Sequence, residues 1–245
     1  MMRSALLMAK FSAASALLLL LGGCDGSPSE GMVTITSYGE AFIEEGIPAD
    51  AMDDGWEVSF DNFEVKVDNV ALGGQELRNP SAVDLTKKSD GQGQELGTLL
   101  VPTGTYDSAD YEITRIAIEG FAKKGSAEKT FSWVFTGTTS YRDCEVTTKV
   151  STDKDARFEI TVHADHLFMD SLASEEPQFL FGSLADADTD EDGEITPSEL
   201  KQADIGAYDP GSAGGDIDNL WLWLEALSRT VGHANGEGHC HAHGD

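Results

Sequence analysis

Residues 188 to 199, DTDEDGEITPSE, put six acidic side chains into twelve positions around one glycine. Counting from Asp188, carboxylates fall at positions 1, 3, 5 and 12 (Asp188, Asp190, Asp192 and Glu199), with Gly193 at 6, the backbone carbonyl of Glu194 at 7 and Thr196 at 9. Donors that are all oxygen suit a hard cation. Ca2+ takes roughly six to eight oxygens, which three aspartates on a tight turn and a bidentate Glu199 nearly supply. Gly193 permits the left-handed backbone that folds such a loop around an ion. The side chains of Glu191 and Glu194 are expected to point outward and deepen the local negative potential.

A second set of donors is nitrogen. Four of the six histidines lie near the C-terminus, His233, His239, His241 and His243, and two lie in VHADHLF, His163 and His166. Imidazoles at i and i+2 near a thiol suit Zn2+, Cu2+ or Ni2+ and not calcium. Asp165 or Asp170 would complete a site with His163 and His166 if the C-terminal residues fold back, and a Cys144–Cys240 bridge would hold them there. The alternative is that the tail has no metal role and that the inner pair only makes hydrogen bonds at a strand end.

The elements that must position the acidic loop are written on both sides of it. Thr196, Pro197 and Glu199 read as N-cap, N1 and N3 of an outgoing helix over 197–205, so the capping-box residue and the twelfth loop position coincide. Gly206 is a suitable stop. An incoming helix is expected from Pro177, with Leu180, Phe181 and Leu184 on its apolar side. With these flanks, residues 177–205 resemble a single EF-hand, which implies Ca2+ held by Asp188, Asp190, Asp192, Glu194, Thr196 and Glu199. EF-hands usually pair, and a second loop is missing: the stretch from Asp209 has a leucine at position 12 and lacks the intermediate carboxylates. A single hand implies a structural or low-affinity site. The segment IDNLWLWLEALSRTV, predicted helical with Asp216 as cap and Gly232 as stop, is the apolar partner expected for it, anchored by Trp221.

From Val33 to about Val162 the periodicity is two. VTITSY, WEVSF, FEVKVDNVAL, LGTLLV, YEITRIAIEG, TFSWVF and ARFEITV alternate apolar and polar residues between turn-forming clusters, which predicts seven or more short strands in an antiparallel β-sandwich, Ig-like or prealbumin-like. Phe63, Val65 and Val67 should face the core, as should Phe131, Trp133 and Phe135. Val83-Asp84-Leu85, followed by LGTLLV and the turn Pro102-Thr103-Gly104-Thr105-Tyr106, is similar to a pattern in uncharacterised bacterial lipoproteins with a prealbumin-like sandwich. That resemblance covers roughly residues 58–118, implies fold and compartment, and brings no catalytic residue.

The compartment is read from the N-terminus. Arg3 and Lys10 precede an apolar stretch from Phe11 to Leu21, and Leu21-Gly22-Gly23-Cys24 resembles the lipobox of bacterial lipoproteins. This implies a cleaved signal peptide over 1–23, lipidation at Cys24, a tether over 24–32, and anchorage in the cell envelope at the inner or outer membrane. Removing residues 1–23, which hold two basic residues and no acid, takes the formal charge from −28 to −30. Such a surface repels nucleic acid and anionic lipid. With Cys24 lipidated, Cys144 and Cys240 form the remaining even pair. A disulfide suits an oxidising envelope, with free thiols or a metal-ligating Cys240 as alternatives.

Signatures of catalysis are missing: there is no H-E-x-x-H, no G-x-S-x-G and no P-loop. The expectation is a non-enzymatic, calcium-binding, lipid-anchored envelope protein acting as a binding or metal-handling module. Cu/Zn binding or delivery is an alternative, as is a metal-dependent hydrolase built on His163, His166 and a tail histidine. The organisation expected is a sandwich over 33–167, a helical segment with one EF-hand over 168–232, and a His-rich tail over 233–245.

Overall fold

The computed structural model describes residues 28–244; the expected signal peptide and Cys24 lie outside the described residues. The chain is mainly β. Strand β1 (Glu30–Tyr38) leads through the short helix α1 (Glu40–Glu44) into β2 (Glu57–Leu72), β3 (Gln75–Leu77), β4 (Val83–Asp84) and β5 (Gln94–Pro102). The long strands β6 (Gly104–Lys124) and β7 (Ala127–Val150) follow, then β8 (Ala156–Val162). A 3-10 turn at Asp165–Phe168, α2 (Gly182–Ala185), β9 (Glu194–Ile195), α3 (Pro197–Leu200), α4 (Leu220–Leu227), β10 (Gly232–Ala234) and β11 (His241–Gly244) complete the chain.

Two sheets form. One has the order β10-β8-β1-β5, the other β11-β7-β6-β2-β3, with β4 on β2 and β9 on β7. Phe63, Val65 and Val67 are fully buried, while Glu64, Lys66 and Asp68 between them stay partly exposed, as a pleated strand with one covered face requires. Phe131, Trp133 and Phe135 repeat the alternation on β7. Val33, Ile35, Phe158, Ile160 and Val162 line the other sheet.

Three sequence expectations are corrected. The pairing is not wholly antiparallel: β1 runs parallel to β8, and β9 parallel to β7. The strands are also longer than expected. WEVSF and FEVKVDNVAL merge into one strand because a register shift between Phe60 and Asn62 absorbs the extra residue as a bulge. The C-terminal stretch, finally, is no appendage: β10 pairs with β8 and β11 with β7, so the tail adds a strand to each sheet.

Helix is scarcer than the periodicities predicted. Residues 177–181 stay outside any helix because carboxylates elsewhere in the chain capture their amides. Asp170 accepts from Gln178 N at 2.8 Å, Asp53 from Phe179 N at 2.8 Å, and Asp54 from Phe181 N at 2.8 Å and Gly182 N at 2.7 Å. An incoming helix therefore starts only at Gly182. The outgoing helix ends at Leu200 because Ala203 O accepts from Leu220 N (3.0 Å) and Asp204 bridges to Asn219, pulling the chain into contact with α4. Helix α4 is capped by Asn219, whose side chain accepts from Leu222 N, and not by Asp216. Trp221 stacks on Phe135 with ring centroids 5.4 Å apart, so it anchors packing as expected of it.

Candidate metal centres

The acidic loop is held against the second sheet. Thr130 N donates to Gly193 O at 2.8 Å, and the Trp133 indole N–H donates to Ile195 O at 2.9 Å. Ile195, fully buried, pairs with Phe131 on β7. The loop thus leans on a strand of the sandwich, while α4, the expected partner, meets the segment that follows α3.

Within the loop, one carboxylate oxygen each from Asp188, Asp190 and Glu199 lie within 4.8 Å of one another. The Asp188 side chain is wholly buried. Its Oδ2 accepts from Gly193 N at 3.0 Å and from Lys129 Nζ, whereas its Oδ1 has no hydrogen-bond partner. The Lys129 ammonium, against the cost of burial, holds the Asp188 carboxyl below its ordinary value. Glu199 is drawn inward by Thr196, whose N–H and Oγ1–H donate to its Oε2 at 2.9 and 2.8 Å, while Thr189 N donates to Oε1 at 3.2 Å. Those bonds, the Thr196 pair first, lower its pKa as well. Thr196 and Glu199 together form the capping box of α3.

The remaining expected ligands stand differently. Asp192 Oδ1 accepts from Glu194 N at 2.8 Å and lies outside the cluster. The Thr196 hydroxyl is committed to Glu199, and Glu194 is exposed, its N–H donating within the loop. Gly193 has φ +90°, a conformation in which any side chain would be strained.

The histidines converge at another place. His163 follows β8, His166 sits in the 3-10 turn and His233 in β10. Ring centroids are 4.5 Å apart for His163 and His233, and 5.2 Å for His163 with His166 and for His166 with His233. His239 lies 5.8 Å from His233. His241 and His243 are not brought in: both are exposed on β11, and His241 faces Asp143 at 4.0 Å. Nor is Asp170, which is occupied by Gln178.

Long-range packing sets this group. Tyr111 and Tyr141 stack at 4.7 Å under β10, and their hydroxyls donate to His233 O at 3.0 Å and Arg229 O at 3.1 Å. Burial raises both phenol pKa values, so the hydroxyls keep their protons. A Cβ on Gly232 would come within 2.6 Å of the Tyr141 ring; only glycine lets the chain cross there. Beyond β10 the chain turns through Asn235 (φ 49°) and Gly236 (φ 85°), tied to β8 by Asn235 N to Glu159 O at 2.9 Å and Gly236 N to Thr161 Oγ1 at 2.8 Å. Cys240 is joined to Cys144 on β7 by a disulfide.

Burial, and after it the neighbouring imidazoles of His163, His166 and His239, pushes His233 down to about 3. Burial also lowers His166, against the opposing pull of Asp165 and the Thr230 carbonyl. Three participants were not singled out from the sequence: Lys129 at the acidic loop, and Glu40 and Glu237 at the histidines. The Asn235-Gly236 pair, a turn-forming dipeptide, was the available signal for Glu237. Lys129 and Glu40 come from distant segments and left none.

No protein-family model, curated protein or solved structure matches this chain. No helix among the described residues is long and apolar enough to cross a membrane.

Proposed function

We propose that the protein is a calcium-binding, lipid-anchored envelope protein, a β-sandwich that acts as a binding or metal-handling module and uses the loop 188–199 as an unpaired EF-hand. The observation that carries this reading is Asp188: a fully buried carboxylate with one oxygen unpartnered, beside carboxylates of Asp190 and Glu199. A buried polar atom without a partner is costly, more so when charged, and a cation bound by the cluster removes that cost. Calcium would neutralise the three carboxylates and fasten α2, β9 and α3 to β7. Anchorage rests on the Leu21-Gly22-Gly23-Cys24 stretch.

Stabilisation by calcium follows RT ln(1 + [L]/Kd), so it grows as free calcium rises above the dissociation constant. Thermal unfolding with and without calcium tests the reading. The melting temperature should rise with calcium in the native chain and stay level in Glu199→Gln; a level response in the native chain overturns the proposal.

A further inference from the structure

A separate group of donors, at the edge where β8 meets β10, has nitrogen atoms with no partner in the fold. His163 is 7% exposed, and its Nε2 is buried without a hydrogen bond. His233 Nδ1 is in the same state. One nitrogen of each imidazole and a carboxylate oxygen of Glu237 lie within 4.8 Å of one another. Buried polar atoms are normally satisfied, so two unpartnered imidazole nitrogens in one cluster call for a ligand.

The surroundings are those of a metal site. Glu40 Oε2 lies 3.6 Å from His163 Nδ1, on the ring nitrogen opposite the unpartnered one, where a carboxylate orients a ligating imidazole. His166 Nδ1 lies 2.8 Å from Thr230 O; a carbonyl can only accept, so the proton is on Nδ1 and Nε2 carries a free lone pair. Two imidazoles bound to one tetrahedral ion at about 2.0–2.1 Å would have ring centroids roughly 5 Å apart, close to the 4.5 Å between His163 and His233, and His166 lies 5.2 Å from each. A cleft of about 540 Å3 that reaches Tyr141, His166, Phe179, His233, Glu237 and His239 gives an ion a way in. With Cys240 bonded to Cys144, no thiolate is on offer, and imidazole with carboxylate suits a borderline divalent ion better than a soft monovalent one.

We propose that this edge of the sandwich holds a divalent transition-metal site, built from the imidazoles of His163 and His233 and the carboxylate of Glu237, with His166 beside it, taking Zn2+ or Cu2+. The site is independent of the acidic loop: its donors, its elements and the class of ion it takes are all different.

Titration of the untagged chain with Zn2+ in saturating calcium, and paramagnetic resonance of the Cu2+ form, test this. One equivalent should bind tightly, and the copper spectrum should show nitrogen ligation. His233→Ala should weaken binding by more than roughly 100-fold, beyond what loss of an outer-shell partner costs, and Glu237→Ala, an exposed position whose loss leaves the fold intact, by about 10-fold. A double His241→Ala/His243→Ala variant should bind as the native chain does. Binding that follows His241 and His243, that ignores Glu237→Ala, or that is missing altogether overturns the proposal. Calcium binding would be untouched by any of these outcomes, so this site and the acidic loop stand or fall separately.

Discussion

Trp133, in the first third of β7, donates its indole N–H to the carbonyl of Ile195, the eighth residue of the acidic loop, at 2.9 Å. The bond is buried and joins two residues 62 positions apart. It makes the sandwich, and not a second helix–loop–helix, the wall against which the loop is shaped. Trp133→Phe keeps most of the ring packing but leaves the Ile195 carbonyl buried without its donor, which costs about 1–3 kcal/mol. Urea unfolding should register that loss, and calcium affinity should fall with it.

If the loop binds calcium as proposed, Lys129 competes with the ion. Its ammonium contacts Asp188 Oδ2, so a divalent cation bound by the same carboxylate meets a positive neighbour. Lys129→Gln should raise calcium affinity, by on the order of tenfold or more, from charge–charge repulsion at close range beside a buried carboxylate. Calcium titration of the variant at low and high salt checks this, and the gain should shrink as salt rises.

The acid limb of the stability profile should depend on Asp84. Burial works against its ionisation, but hydrogen bonds from Thr86 Oγ1, Thr86 N and Phe63 N, aided by Lys87, outweigh it and hold the carboxyl below the ordinary carboxylate range. A group with a depressed folded pKa stabilises above its unfolded value and loses that contribution as pH falls through the folded value. Asp84→Asn keeps an oxygen at the position that accepts all three hydrogen bonds and loses only the charge, so it should cost under about 1 kcal/mol near neutrality and show a shallower fall in stability below about pH 4. Denaturant unfolding at a series of pH values separates the two curves.

The Cys144–Cys240 bridge closes a separation of 96 residues and fastens the chain between β10 and β11. Its removal should cost about 2–5 kcal/mol. Hydrogen exchange in a Cys144→Ser/Cys240→Ser variant should show β11 losing protection first, since β10 keeps its own pairing with β8.

What could be read from the sequence follows the range of the forces involved. Phe131, Trp133 and Phe135 were legible because strand periodicity is a local property, and Thr196 with Glu199 because a capping box spans four residues. The non-helical run at 177–181 was not, since the carboxylates of Asp53 and Asp54 that hold its amides lie more than a hundred positions away. Histidine content pointed to a nitrogen-rich cluster. Which histidines belong was decided by the tyrosine pair under Gly232 and by the Asn235-Gly236 turn, and this leaves His241 and His243 outside. The parallel partner of β1 could not be inferred either, because alternation tells which face of a strand is buried and nothing about its neighbour.

Calorimetric titration of calcium into the metal-free chain tests the central claim most directly. One saturable equivalent should bind in the native protein, and Glu199→Gln, with the fold retained, should abolish the heat. A native chain that gives no heat with calcium, or a Glu199→Gln variant that binds as tightly as the native chain, would contradict the account.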